Sequence, residues 1–146
     1  MVKLLVGQKG TGKTKQMIAM ANERVGSSDG SIVFINKNHR LMYDLKYMIR
    51  VVCMEDYEEI TNSDEYIGFI FGIISSDHDI EAIFIDSILK HADVSTEDIP
   101  EFLERLGKIG EKYEIEFTVS LSEQPETLGS AIQGFEVLNE KELNAS

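Results

Sequence analysis

A glycine-rich segment at residues 7–14 restricts this chain more than any other feature, and it reads Gly-Gln-Lys-Gly-Thr-Gly-Lys-Thr. An apolar run at residues 2–6 precedes it and predicts a buried strand, and residues 15–25 have the spacing of a helix. Glycines allow the backbone of such a loop to curl so that successive N–H groups point inward, and the following helix adds the positive end of its dipole. We therefore expect a loop, called the glycine loop below, that binds an anionic group such as a phosphate.

Length and composition are typical of one soluble globular domain. The chain has 146 residues, of which 42% are hydrophobic and 27% charged, and we assign residues 1–138 to a single domain and the polar residues 139–146 to a flexible tail. The single cysteine, Cys53, lies in an apolar run, which favours a buried structural thiol. Because the first strand starts at the N-terminus and no apolar run is long enough to span a membrane, we expect a cytoplasmic protein.

The charge balance is strongly acidic. With 14 basic and 26 acidic residues the formal net charge is −12, which argues against nucleic acid as a partner because nucleic acid is itself a polyanion. Lys9 and Lys13 nevertheless provide local positive charge in the glycine loop, and no further cluster of Lys and Arg is evident in the sequence. The charge is therefore compatible with a small anionic ligand.

Strands and helices alternate along the remainder of the chain. Apolar runs predict strands at residues 32–35, 51–54, 80–86 and 115–121, with a possible edge strand at 135–138. Helices are predicted from Asn38 onward with an apolar stripe to Ile49, from the Asn62/Glu65 capping box to Ile74, and from an Asp98/Glu101 capping box. A strand at residues 69–74 is the alternative to the middle helix. The pattern predicts an α/β three-layer sandwich with a mostly parallel sheet of about five strands flanked by helices.

Several polar residues follow predicted strands directly. Asp86 ends the apolar run 83–85, and Glu55 and Ser122 follow the third and fifth strands. Since parallel sheets bind ligands at the carboxyl ends of their strands, these residues and the glycine loop are expected to share one edge. Asp86 could alternatively start a turn or cap a helix at residues 87–91.

The glycine loop has the Walker A pattern G-x-x-x-x-G-K-[ST], and residues 83–86 resemble a Walker B strand. Together they resemble the P-loop NTPase superfamily, and the chain looks more like its RecA-like, ATP-hydrolysing branch than a GTPase. It is also similar to small bacterial ATP-binding proteins. The resemblance implies ATP or another NTP as the ligand, with Lys13 reaching the β- and γ-phosphates. It implies Mg²⁺ held by Thr14 and, through a water, by Asp86. The residues it assigns to the nucleotide are Gly7, Gln8, Lys9, Gly10, Thr11, Gly12, Lys13, Thr14 and Lys15.

The residues that would support hydrolysis are less well defined. Many P-loop ATPases have a glutamate directly after the Walker B aspartate, but here that position is Ser87. Glu55 is a candidate catalytic base, placed as in RecA-like ATPases, and alternatively a solvated acid. Ser120 or Ser122, with Gln124 nearby, could sense the γ-phosphate, and alternatively these are turn residues.

The chain has only four arginines, and none lies in an obvious phosphate-facing loop, so we expect slow turnover. The three histidines, His39, His78 and His91, lack metal-ligand spacing and are expected at the surface. The function we expect is a slow Mg²⁺-dependent ATPase that acts through a protein partner or self-association. The alternatives are a nucleoside or nucleotide kinase and a nucleotide-regulated interaction module that does not hydrolyse its ligand.

Overall fold

A six-stranded, all-parallel sheet forms the centre of the molecule. The computed structural model describes residues 1–8, 10–40, 42–87, 95–123 and 125–139. The strands are β1 (Val2–Val6), β2 (Ser31–Asn36), β3 (Arg50–Cys53), β4 (Ile80–Ile85), β5 (Glu116–Leu121) and β6 (Glu136–Val137), in the order β3-β2-β4-β5-β1-β6. The helices are α1 (Lys13–Ser27), α2 (Ser63–Ser76), α3 (Ile99–Tyr113) and the short α4 (Pro125–Leu128). The predicted α/β class and the parallel sheet are confirmed.

The sheet has one strand more than the predicted number of about five. The sixth strand is the possible edge strand of the sequence, shortened to β6, which pairs with β1 through Lys3 with Glu136 and Leu4 with Val137. A two-residue strand is difficult to count from sequence because alternation cannot be recognised over so short a run.

Helices cover both faces of the sheet, which gives three layers. Successive side chains of a strand point to opposite faces, so Leu4 and Val6 of β1 pack with α2 and α3, whereas Leu5 packs with α1. The cluster on the α1 side also contains Leu45 and Ile49 from the connection between β2 and β3. Burial of apolar side chains on both faces explains why the strand sequences are continuously apolar.

The prediction of a helix from Asn38 to Ile49 is wrong. This connection contains a 3₁₀ turn at Met42–Asp44 and further turns. The apolar stripe reflects real burial, since Leu45 and Ile49 are buried. The backbone, however, is held by the Asn22 side chain, whose Nδ2 donates to the carbonyl of Asp44 at 2.8 Å and whose Oδ1 accepts from the N–H of Lys46 at 2.9 Å.

The other two predicted helices are present, but only the first of them has the predicted side-chain cap. Asn62 caps α2 by accepting a hydrogen bond from the N–H of Glu65 at 2.9 Å, so the strand alternative at residues 69–74 is wrong. The capping box predicted for α3 does not form in the described part of the chain. Asp98 instead lies in a 3₁₀ turn, where its carboxylate accepts a hydrogen bond from the Ser95 hydroxyl at 2.8 Å.

The parallel arrangement brings the loops after β1, β2, β4 and β5 to one edge of the sheet. At this edge Asn139, which the sequence assigned to the tail, is buried and belongs to the fold, whereas residues 140–146 lie outside the described ranges. Among the described helices, none has both the length and the hydropathy needed to cross a bilayer.

Candidate functional site

A cavity of about 400 Å³ opens in front of the glycine loop. Its walls come from the start of α1, the segment after β2 and the ends of β4 and β5. The lining residues are Gly10, Gly12, Lys13, Thr14, Lys15, Asn36, Lys37, Asn38, Arg40, Asp86, Ser87 and Ser122. Of the residues predicted to bind a ligand, the cavity thus brings together five from the glycine loop and its helix with Asp86 and Ser122.

The conformation of the glycine loop depends on glycine at two positions. Gly10 and Gly12 have φ angles of 90° and 85°, in the left-handed region that disfavours other residues. A Cβ atom at either position would meet no heavy atom within 4 Å, so the requirement lies in the backbone and not in the space available. Gly12 has no side chain to cap α1, and residues 13–16 include no acid. The positive end of the helix dipole is therefore not neutralised by a side chain at Gly12 or in this first turn.

Lys13 lies at the base of the cavity with only 6% of its surface exposed. Its Nζ donates to the carbonyl of Gln8 at 2.7 Å and to Thr11 Oγ1 at 3.3 Å. The Thr11 hydroxyl also donates to the Gln8 carbonyl, at 2.8 Å. These bonds within the glycine loop hold the ammonium group beside the cavity, where a buried positive charge favours an anionic ligand.

Asp86 connects the glycine loop to the centre of the sheet. The Thr14 hydroxyl donates to Asp86 Oδ2 at 2.8 Å, and the Ser120 hydroxyl donates to Oδ1 at 2.6 Å. Asp86 is 2% exposed, and Ser120 is fully buried. β5 lies between β1, which leads into the glycine loop, and β4, which precedes Asp86. Ser120, near the end of β5, therefore reaches Asp86 from the neighbouring strand. The Thr14 and Asp86 oxygens are ligands of the kind that Mg²⁺ prefers.

Ser87 has an unusual backbone conformation. Its φ of 61° lies in the left-handed region, which costs a residue other than glycine roughly 1–2 kcal/mol. Its N–H donates to Ser120 Oγ at 2.7 Å, so the same serine that binds Asp86 also holds the turn that follows it. The alternative role of Asp86 as the cap of a helix falls largely on residues 88–91, which lie outside the described residues.

Lys37 and Arg40, from the segment after β2, line the cavity and were missed in the sequence. Arg40, which the sequence did not place in an obvious phosphate-facing loop, thus lines the same cavity as the glycine loop. Asn36 is buried and organises this segment, because its Oδ1 accepts from the N–H of Lys37 at 2.8 Å and its Nδ2 donates to the carbonyl of Arg40 at 3.3 Å. The sequence contained one signal for these residues. The apolar run ends at Ile35, so the residues that follow it lie at the carboxyl edge of the sheet.

Glu55 reaches the same edge of the sheet but does not line this cavity. It lies in the 3₁₀ turn Met54–Asp56, half-exposed, with its Oε1 3.7 Å from His39 Nε2. The reason is strand order, since β3 is the outermost strand and three strands separate it from β1. Ser122 lines the cavity, whereas Ser120 lies beneath it; Lys9 and Gln124 lie outside the described residues.

A larger cavity, of about 780 Å³, lies at the opposite edge of the sheet, where the strands begin. Its walls carry five carboxylates, which suit an anionic ligand poorly, and these belong to Asp29, Asp79, Glu81, Glu114 and Glu116. The smaller cavity is therefore the candidate site. No protein-family model and no curated protein matches the chain.

Proposed function

We propose that this chain binds ATP or another NTP together with Mg²⁺ at the glycine loop and hydrolyses it slowly, acting through nucleotide-dependent contacts with a protein partner. The observation that carries the proposal is the 2.8 Å hydrogen bond between Thr14 and Asp86, which are 72 positions apart in the chain. These are the two residues to which the sequence resemblance assigns the metal, and they meet at the wall of one cavity.

The charges around the cavity support a polyphosphate ligand. In a chain of net charge −12, the cavity is lined by four cationic side chains, Lys13, Lys15, Lys37 and Arg40. A local positive field of this kind, combined with the positive end of the α1 dipole, attracts and orients phosphate groups. Mg²⁺ would be held by the Thr14 and Asp86 oxygens, and when bound it neutralises negative charge on the phosphates.

Slow turnover is proposed because the described part of the site offers few acids. Asp86 is the only carboxylate among the described residues that line the cavity, and both of its oxygens accept hydrogen bonds from hydroxyl groups. A general base must reach the proton it removes within hydrogen-bonding distance, directly or through one water. Glu55 lies outside the cavity, and Ser87 stands where many ATPases have glutamate, so efficient activation of water would depend on a partner.

A nucleoside or nucleotide kinase is the second candidate, and Lys37 and Arg40 favour it. Such an enzyme needs basic residues close to the transferred phosphate, and both side chains line the cavity beside the glycine loop. Incubation with ATP and Mg²⁺, with and without nucleosides, separates the candidates. Phosphate release alone supports the ATPase, a phosphorylated nucleoside supports the kinase, and binding without turnover supports the nucleotide-regulated module.

The Lys13→Ala variant tests the binding site itself. Loss of charge-assisted hydrogen bonds to the phosphates should weaken the binding of ATP and Mg²⁺ by about 100-fold or more in calorimetry. Asp86→Ala should chiefly remove the dependence of affinity on Mg²⁺. Lys108→Ala, at an exposed position of α3, is the matched control and should bind as the native chain does. Native affinity in Lys13→Ala would contradict the proposed function.

A further inference from the structure

His39, Cys53 and Asp56 meet at the outer edge of the sheet, beside the candidate nucleotide cavity. One nitrogen, one sulfur and one carboxylate oxygen from these residues all lie within 4.8 Å of one another. His39 belongs to the segment after β2, and Cys53 ends the neighbouring strand β3. Strand pairing places Asn36 opposite Cys53, and the N–H of Glu55 donates to the carbonyl of Lys37 at 3.1 Å. The two segments are therefore held side by side by the backbone.

The distance between the His39 and Asp56 ligand atoms is close to that in a tetrahedral metal site, and the Cys53 sulfur lies within 4.8 Å of both. His39 Nε2 lies 3.1 Å from Asp56 Oδ1 and 3.7 Å from Glu55 Oε1. Ligands at the usual zinc distances of about 2.0–2.3 Å are separated by roughly 3.3–3.7 Å around a tetrahedron. Exposed side chains such as His39 and Asp56 can make the remaining adjustment by rotation.

The combination of ligand types selects a class of metal. Thiolate and imidazole bind Zn²⁺ and related transition metals, whereas Mg²⁺ prefers oxygen ligands alone. Cys53 is buried, and Asp56 and Glu55 place negative charge beside its thiol. The same negative charges would be balanced by a divalent cation, and a coordinating thiol loses its proton.

We propose that His39, Cys53 and Asp56, with a water molecule completing the coordination, form a binding site for a divalent transition metal of the Zn²⁺ type. Binding forms one metal–nitrogen, one metal–sulfur and two metal–oxygen bonds, and the proton of the Cys53 thiol passes to water without any change of oxidation state. The site shares no ligand with the Thr14–Asp86 pair. It therefore stands independently of the proposed nucleotide function.

Titration of the chelator-treated protein with Co²⁺, a spectroscopic substitute for Zn²⁺, provides the test. One equivalent should produce a thiolate-to-cobalt charge-transfer band, and Zn²⁺ should displace Co²⁺ and abolish it. Cys53 is the only cysteine in the chain, so any such band reports on this residue. Magnesium should not displace the bound Co²⁺ at comparable concentration, because it binds thiolate poorly.

Variants at the exposed ligands separate a built site from a lone thiol without disturbing the core. His39→Ala and Asp56→Asn should each weaken Co²⁺ binding by more than about 10-fold, since even changes outside the ligand shell cost 10–100-fold. His78→Ala replaces another exposed histidine, in the turn before β4, and should bind Co²⁺ as the native chain does. The absence of a charge-transfer band in the native chain would overturn the proposal. Co²⁺ affinity equal to that of the native chain in His39→Ala and Asp56→Asn would overturn it as well.

Discussion

Single side chains around Asp86 have distinct roles in this molecule. Thr14 binds one carboxylate oxygen from the cavity side, and Ser120 binds the other from within the sheet. Ser120 and Ser122 were the two predicted sensors of the γ-phosphate; Ser122 lines the cavity, whereas Ser120 is fully buried and is not among the described residues that line it. From its hydrogen bonds with Asp86 and with the N–H of Ser87, we expect Ser120 to position these two residues.

The Ser120→Ala variant should therefore affect metal dependence more than nucleotide binding as such. Removal of the hydroxyl leaves Asp86 with one hydrogen bond fewer and removes the acceptor of the Ser87 N–H, at a cost of about 1–3 kcal/mol in unfolding free energy. Calorimetry should show a smaller gain in ATP affinity on addition of Mg²⁺, with the affinity in the absence of Mg²⁺ little changed.

Thr118→Val is the matched control for this prediction, because it removes another buried hydroxyl from β5, farther from the cavity. It should retain the native dependence on Mg²⁺. If Ser120→Ala and Thr118→Val gave the same calorimetric profile, a positioning role for Ser120 would be excluded.

At the scale of elements, the end of β1 is secured by a side chain as well as by its neighbouring strands. β5 pairs with β1 along its whole length, but β6 pairs with it only at two positions. Beyond β6, Asn139 Nδ2 donates to the carbonyl of Val6 at 2.6 Å, and Asn139 Oδ1 accepts from the Val6 N–H at 3.1 Å. The Asn139 side chain thereby takes the place of a third pair of residues between β1 and β6. It holds Val6, which directly precedes the glycine loop.

Replacement of Asn139 by alanine should destabilise the protein by about 1–3 kcal/mol, because it leaves the buried polar groups of Val6 without these partners. Urea unfolding measures the effect. Glu136→Ala, at an exposed position of β6, should change stability by no more than about 0.5 kcal/mol. Equal stability of the two variants would mean that Asn139 is dispensable to the end of β1.

Charge is distributed unevenly over the whole molecule. Despite the net charge of −12, cations collect at the cavity on the carboxyl edge. Toward the amino edge, Glu116 of β5 forms ion pairs with Lys3 of β1 at 3.0 Å and with Arg24 of α1 at 3.2 Å. Burial acts to raise the pKa of Glu116, but the hydrogen bonds and charges of Lys3 and Arg24 outweigh it and hold the pKa below its ordinary value.

A lowered pKa in the folded state links this carboxylate to acid stability. The folded chain binds the proton of Glu116 less readily than the unfolded chain, so the contribution is full above the unfolded value of about 4.5 and is lost as the pH falls through the lower folded value. Glu116→Gln should cost about 0.5–1 kcal/mol in unfolding free energy at neutral pH, and the difference from the native chain should vanish in acid. Exposed Glu111→Gln serves as the control. A difference that is constant with pH would refute the linkage.

Much of the architecture could be predicted from local patterns. The apolar runs around Leu4, Phe34 and Ile83 are strands, and the cap at Asn62 predicted α2 because its hydrogen bond joins residues three apart. The segment after Asn38 could not be judged in this way. Leu45 and Ile49 are buried in the cluster formed with α1, and the backbone around Leu45 is held by distant Asn22 and not by α-helical hydrogen bonds.

By itself the sequence determined the α/β class and the glycine loop, because strands, helix caps and left-handed turns depend on neighbouring residues. Only the tertiary structure decided which polar residues meet. Strand order brings Asp86 to Thr14 and Arg40 to the cavity, leaves Glu55 at the outer edge, and places His39 beside Cys53. Strand order results from the burial of both faces of the sheet over the whole chain, and no local pattern of residues encodes it.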